Sequence, residues 1–418
     1  MSVHPVLRRG LLGLLALVLL LALATAAVWA WQLAELPLTE PGAAAGADAA
    51  ERGAYLARVG HCEGCHTARG GAPYAGGRAV ATPFGPVYAS NLTPDAPTGL
   101  GRWTLAQFRR ALLQGRSADG RLLSPAFPYT HTTRLALADV DALYVHLRGV
   151  APVHLANRPH GLPFPLGTQA AIAWWRALYF RPGALPAETG RGAAWERGRY
   201  LAEGAGHCGA CHRARSGLGG SADTLGLAGG PMPDGRWWAP PLGPVAPDRV
   251  AERVRWLQTG HGPRGNALGP MAEVVMGSTQ HWSLADLQAL ASYLQSLPPA
   301  PPAPAVAWTA DAAVQEAGAG LYRERCADCH GTQGQGRGAA YPPLRGSRVV
   351  TATNALNLLR VLDDGGFAPV TAGHPRPYGM PPQGLSDNEA AVLMSWLRSR
   401  WGHAAGPVAA AQVRRWRE

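Results

Sequence analysis

The apolar and polar positions of this chain fall into one long unbroken apolar segment followed by three repeats of a short amphipathic plan. Arg8 and Arg9 precede an uncharged run from Gly10 to Trp31. As a helix that run reaches roughly 33 Å, enough to cross a hydrocarbon core of about 30 Å. The pattern predicts a signal-anchor or transmembrane helix within residues 1–35, with Trp29 and Trp31 as interface anchors and the arginines on the cytoplasmic side. Cleavage after Ala24-Thr25-Ala26 is the competing reading, and it leaves the rest of the chain in the same compartment.

After the anchor, similar short amphipathic helices recur. Glu51-Arg52-Gly53-Ala54-Tyr55-Leu56 matches Glu196-Arg197-Gly198-Arg199-Tyr200-Leu201, and Ala319-Gly320-Leu321-Tyr322 takes the same part a third time. In each, a glycine permits the close approach of another helix and an aromatic packs the crossing. Three further helical patterns close the repeats, at Ala136–Leu147, Ser283–Leu297 and Ser386–Leu397. Ser283-Leu284-Ala285-Asp286 and Ser386-Asp387-Asn388-Glu389 resemble capping boxes at two of their starts. The division expected is 45–150, 191–297 and 309–404 for the repeats. An aromatic linker spans 151–190, a proline-rich linker 298–308 and a basic tail 405–418. The aromatic linker holds Pro163-Phe164-Pro165 and the run Ile172 to Phe180, read as a helix packing across two domains or docking on a membrane or partner. The second linker is a stiff polyproline-like spacer.

All six cysteines fall into three Cys-x-x-Cys-His motifs: Cys62-Glu63-Gly64-Cys65-His66, Cys208-Gly209-Ala210-Cys211-His212 and Cys326-Ala327-Asp328-Cys329-His330. Two thiols on one turn can each add to a haem vinyl group, and the histidine that follows is then held against the iron. Zinc sites and redox dithiols use Cys-x-x-Cys pairs too, but neither requires a histidine after the second cysteine in every copy. The motifs predict three covalently bound haem c groups with His66, His212 and His330 as proximal iron ligands. The predicted fold class is mainly α: three tandem class I-like cytochrome c domains after an N-terminal transmembrane helix.

The formal charge of +11 and pI near 9.8 come entirely from arginine, since there is no lysine. The export signal removes nucleic acid from the partners. The charge suits anionic headgroups or an acidic redox partner, or simply solubility.

A transport haem takes a second axial ligand, commonly methionine. Of the six methionines, Met271 in Gly269-Pro270-Met271 and Met380 in Gly379-Met380-Pro381-Pro382 stand shortly before the closing helices. Met276 is the reserve in the second domain, which also holds Met232, and Met394 has core spacing. No methionine lies between Met1 and Met232, so His131 is the candidate for the first haem, with His146, His154, His160 or an open position as alternatives. The carbonyls that orient the proximal rings are expected in the loops near Pro240-Pro241 and Pro342-Pro343. Gly334-Gln335-Gly336-Arg337-Gly338-Ala339 follows a haem motif rather than a strand, and no nicotinamide site is read there.

Taken together, Asn91-Leu92-Thr93-Pro94-Asp95, Pro125-Ala126-Phe127-Pro128-Tyr129, Gly269-Pro270-Met271-Ala272-Glu273 and Arg376-Pro377-Tyr378-Gly379-Met380-Pro381-Pro382 resemble the triheme cytochrome c subunits of membrane-associated bacterial dehydrogenases, of the alcohol and gluconate type. Phe127 departs from the methionine of that branch. With His131 it looks like the cytochrome subunits of molybdopterin aldehyde oxidoreductases and hydroxylases. The resemblance implies an electron-transfer subunit on the periplasmic side of the bacterial inner membrane. It would take electrons from a catalytic subunit (molybdopterin, flavin or quinoprotein) and pass them to ubiquinone or a terminal oxidase. Two other functions are compatible with the residues: an open-coordinate peroxidase or gas-binding haem, and a free-standing multihaem shuttle.

Overall fold

The computed structural model describes residues 5–33, 47–221, 226–299, 308–338 and 340–418. The protein is mainly helical, with only three two-stranded hairpins among the described residues. Most of the proline-rich linker lies outside them.

Helix α1 (Pro5–Leu33) is largely apolar and is exposed from Arg9 to Leu23, with its last turns partly covered and Gln32 buried; its window Arg9–Gln32 is long and hydrophobic enough to cross a membrane. Three similar helical units follow. The first holds α2 (Ala47–Val59), α3 (Cys62–His66), the hairpin β1 (Ala79–Val80) and β2 (Val87–Tyr88), α4 (Leu105–Gln114), α5 (Tyr129–Thr132) and α6 (Leu137–Arg148). Helix α7 (Gln169–Tyr179) connects it to the second unit. That unit holds α8 (Ala193–Tyr200), extended by a π-turn over Leu201–Ala205, then α9 (Gly209–His212), β3 (Gly230–Pro231), β4 (Trp238–Ala239), α10 (Val250–Thr259), α11 (Pro270–Gly277) and α12 (Leu284–Gln295). The third holds α13 (Ala312–Arg325), α14 (Ala327–His330), α15 (Arg348–Thr351), α16 (Leu356–Asp364), β5 (Gly366–Phe367), β6 (Gly379–Met380), α17 (Asp387–Ser399) and α18 (Ala410–Arg417).

Each unit is built on one crossing, leader helix on closing helix. A Cβ on Gly53 would stand 2.0 Å from the Ala142 carbonyl oxygen of α6, and one on Gly198 would stand 1.9 Å from that of Ala289 in α12. Only glycine fits such a backbone approach. In the third unit the glycine at the crossing is Gly318, beneath Trp396, whereas a Cβ on Gly320 would meet open space. This corrects the expectation of Gly320. Tyr322 packs the crossing there, with its ring 5.0 Å from Trp396. The other two aromatics, Tyr55 and Tyr200, point elsewhere.

They point across to each other's unit. Tyr55 donates to Asp286 at the start of α12 (2.6 Å), and Tyr200 donates to Asp139 at the start of α6 (2.5 Å). Arg52 pairs with Asp139 and Arg197 with Asp286, so each carboxylate holds one arginine of its own unit and one tyrosine of the other. Burial opposes ionisation of Asp286, but the Arg197 guanidinium and the Tyr55 hydroxyl outweigh it and hold the carboxyl below the ordinary range. The capping box expected at Ser283 is therefore half made. Ser283 accepts from the Asp286 N–H, while the Asp286 carboxylate is spent on the interface. At Ser386 the box with Glu389 is complete.

Between these paired contacts the apolar faces merge. A single buried cluster runs from Leu56, Val140 and Leu147 of the first unit to Leu201, Leu287 and Leu294 of the second. The third unit has its own core, around Leu359, Leu393 and Met394. The basic tail is part of that core rather than a frayed end. Val413 of α18 is fully buried, and Arg417 bonds Asp363 through two nitrogens and Asp387 through a third contact.

Candidate functional site

Each Cys-x-x-Cys-His motif forms a short helix directly after a leader helix, which places both thiols and the histidine on one turn. The residue before the first two motifs, His61 or His207, has left-handed backbone with φ of 50° and 37°. His207 Nε2 donates to the Gly60 carbonyl (2.9 Å), and the His61 ring lies against Gly277. Each ring thus crosses to the other unit. Sequence reasoning passed over both, although a histidine at the same place before two motifs was a usable signal.

The three motif histidines share one construction. His66 Nδ1 donates to the Ser90 carbonyl at 2.7 Å, His212 Nδ1 to Pro240 at 2.7 Å and His330 Nδ1 to Pro342 at 2.8 Å. A donor role at Nδ1 leaves the Nε2 lone pair free to bind a metal, and the carbonyl fixes the ring plane. The loops near Pro240 and Pro342 were legible in the sequence; Ser90 was not. Burial lowers the proton affinity of all three rings, which keeps them neutral as ligands must be.

No disulfide links the cysteines. Burial, with a smaller push from Cys65, raises the Cys62 thiol to about 12, and burial likewise takes Cys208 to about 12 and Cys326 to about 11. Such thiols carry almost no thiolate at neutral pH and do not suit a reactive dithiol. Among the described residues no three His, Cys, Asp or Glu side chains gather into a metal cluster. The donor set at each motif is one pair of neighbouring thiols and one oriented imidazole, which fits covalent haem.

The candidate sixth ligands occupy different settings. Met271 lies in the first turn of α11, half-buried against the cluster of Ala267, Ala272 and Val275. Met276 is on the same helix and largely exposed. Met380 lies in β6, packed against the third core, and its backbone approaches Gly365 closely. Met394 is wholly buried in α17 as packing. His131, on α5, is buried, and its Nδ1 donates to the Glu203 carbonyl of the second unit at 3.0 Å. That bond repeats the construction of the motif histidines and leaves Nε2 free. The ring also faces Gly209 of the second motif. Burial, then the neighbouring His207, brings the His131 ring down to about 3. Of the alternatives, His154 is exposed beside Asp95 and His160 Nδ1 accepts the Tyr88 N–H, while His146 packs on Tyr74 at the α2–α6 crossing.

Comparison with known proteins shows the family. Residues 315–401 match the cytochrome c family model. Over 93% of its length the chain is 36% identical to the cytochrome c subunit of the quinone-dependent alcohol dehydrogenase of Gluconobacter oxydans, covering 87% of that protein. It is 34% identical to the gluconate 2-dehydrogenase cytochrome c subunit of Pantoea cypripedii, over 85% of this chain and 86% of that one. The fructose dehydrogenase cytochrome subunit of Gluconobacter japonicus is 32% identical over 87% of this chain and 81% of its own length. The chain belongs to the family of cytochrome c subunits of bacterial dehydrogenases. These relatives are electron-transfer subunits, not catalytic ones.

Proposed function

We propose that the protein carries three covalent haem c groups in three class I-like domains, one on each Cys-x-x-Cys-His motif, and relays electrons from a membrane-associated dehydrogenase to ubiquinone or a terminal oxidase. The threefold repetition of a motif histidine anchored through Nδ1 to a loop carbonyl carries this reading. The bound haems supply the redox chemistry; the protein supplies ligands, enclosure and spacing. His66, His212 and His330 would hold the three irons, with Met271 and Met380 as further ligands of the second and third. Oriented by the Glu203 carbonyl, His131 would be the further ligand of the first. Two imidazoles stabilise ferric iron better than imidazole plus thioether, so the first haem has the lowest potential of the three. The α1 helix and the relatives support a place at the bacterial inner membrane with the haem units in the periplasm. The partner is a catalytic subunit of molybdopterin, flavin or quinoprotein type.

A pyridine haemochrome assay on the purified chain reads the haem count directly. Three haems per chain are expected, and two in a Cys62→Ala/Cys65→Ala variant; a wild type with fewer than three overturns the reading. The contact of the His131 ring with Gly209 favours a second reading, in which His131 serves only the interface and the first iron keeps an open position. Low-temperature EPR separates the two. A low-spin ferric signal that turns high-spin in His131→Ala supports the closed relay centre, whereas high-spin iron already present in wild type supports the open site.

A further inference from the structure

The segment that joins the first two units runs beside the end of α1. Ala170, in the first turn of α7, sits in a groove with Leu21, Ala22, Thr25, Ala26 and Trp29. Further along, Trp174 Nε1 donates to Thr25 Oγ1, and Arg176 Nε donates to Gln32 Oε1. Helix α7 thus follows the last turns of α1 in the same direction, with its N-terminal end at the deeper level. The two are sealed by Leu122, Ile172 and Ala173 against Val28 and Trp29.

A helix spanning Arg9–Gln32 measures about 36 Å at 1.5 Å per residue, roughly 6 Å more than a hydrocarbon core. Thr25, seven residues before Gln32, is then about 7 Å below the hydrocarbon surface. The segment that accompanies it at that depth has no fixed charge of its own, since no Asp, Glu, Lys or Arg occurs between Arg158 and Arg176, and the charges beside Leu122, Asp119 and Arg121, pair with each other. The apolar side chains there face outward: Phe164 is 89% exposed, Leu178 56% and Trp174 38%. Arg176, the one charge on α7, is enclosed by Gln32, Tyr129 and Phe180 at the level of the end of α1. A water-facing linker has no reason to present Phe164 in this way, whereas a bilayer covers it.

We propose that α1 crosses the bilayer and that the Pro163-Phe164-Pro165-Leu166 turn and the outward face of α7 form a second membrane contact, wedged into the outer leaflet beside it. The occupant of this face is lipid: acyl chain around Phe164, Leu166 and Trp174, and the headgroup boundary around Leu178. Held at two points, the haem units have one fixed orientation to the membrane, with the first unit nearest to it. None of this depends on the haem assignment, and the test below reads no redox property.

The full chain is reconstituted alone in phospholipid nanodiscs, one copy per disc, as Phe164→Cys, Leu178→Cys and, for a water-facing control on the third unit, Phe367→Cys; Phe367 is 68% exposed. Each is treated with a membrane-impermeant maleimide and the modified peptide is read by mass spectrometry. The first two thiols are expected to react at least about tenfold more slowly than the control. Wild type in discs containing a lipid with an acyl-chain diazirine should also acquire adducts within 163–178 on illumination, which guards against a misfolded variant. Rapid maleimide reaction at position 164 together with no lipid adduct in wild type overturns the proposal. Protection that appears only when the dehydrogenase subunit is added overturns it as well, and assigns the face to a protein partner.

Discussion

The first and second units meet in a different way from the second and third. Between the first two, a continuous apolar cluster is bracketed by reciprocal contacts: Tyr55 to Asp286, Tyr200 to Asp139, and the His207 ring on the Gly60 carbonyl. Between the second and third, the contact is made of polar groups and stacked rings. Asn357 exchanges two hydrogen bonds with the backbone of Trp238, Arg236 pairs with Asp364, and His261 stacks on His374 with centroids 3.8 Å apart. A merged core unfolds as one object, whereas a polar contact between separately cored units is lost without loss of either. The pair therefore fixes its two motif helices relative to each other, and the third unit docks on that pair.

The strongest way to break the comparison is at the helix crossings. Gly198→Val places a side chain where a Cβ already meets the Ala289 carbonyl at 1.9 Å. It should cost about 3 kcal/mol or more and destabilise the first unit along with its own. Gly318→Val should damage only the third. Urea titration followed by hydrogen exchange of peptides from each unit checks this, and a Gly198→Val protein whose first unit keeps its wild-type midpoint would contradict a merged core.

The reciprocal tyrosines sharpen the same point. Asp139 is 2% exposed at its side chain and holds Arg52 on Oδ1 while Tyr200 serves Oδ2, whereas Asp286 keeps Arg197 on both carboxylate oxygens after Tyr55 is removed. Tyr200→Phe should lose about 1.5–3 kcal/mol, the range of a hydrogen bond to a buried charged group, and Tyr55→Phe less. Thermal unfolding monitored over the first two units would show equal losses if the asymmetry in burial is immaterial.

How much of this was legible depends on the distance over which each feature is written. The motifs, the closing helices and the Pro240 and Pro342 carbonyls are local patterns, readable from spacing alone. The leader glycines gave away two crossings but misplaced the third, because Ala-Gly-Ala-Gly offers two positions and only packing beneath Trp396 selects Gly318. An apolar face on α2 or α12 says that something covers it, not that another unit does, so the merged core was invisible. The Asp286 carboxylate looked like a capping group because its actual partner, Tyr55, is 231 residues away. Likewise the sequence marks 405–418 only as a basic tail, and it is the fold that brings Asp363 and Asp387 beside Arg417.

The weaker contact should yield to smaller perturbations. Asn357→Ala removes two bonds to Trp238 and should cost about 1–2 kcal/mol, loosening the docking of the third unit with its core intact. Small-angle scattering would then show a larger radius at unchanged helicity.

The stacked histidines add a pH dependence of smaller size. Burial first, and then the facing His374 ring, holds His261 below the ordinary histidine value, and its other partners, the Pro369 carbonyl and the Asn266 side chain, offset this only in part. No carboxylate acts on it there. The folded ring stays neutral while the unfolded one takes up a proton below about pH 6.5, so this contribution is whole above that pH and declines as pH falls toward the folded value, by less than about 1.4 kcal/mol per pH unit. Scattering between pH 7.5 and 5 should show the third unit separating on acidification in wild type and not in His261→Gln; an identical response in both would remove the stacked pair as its cause.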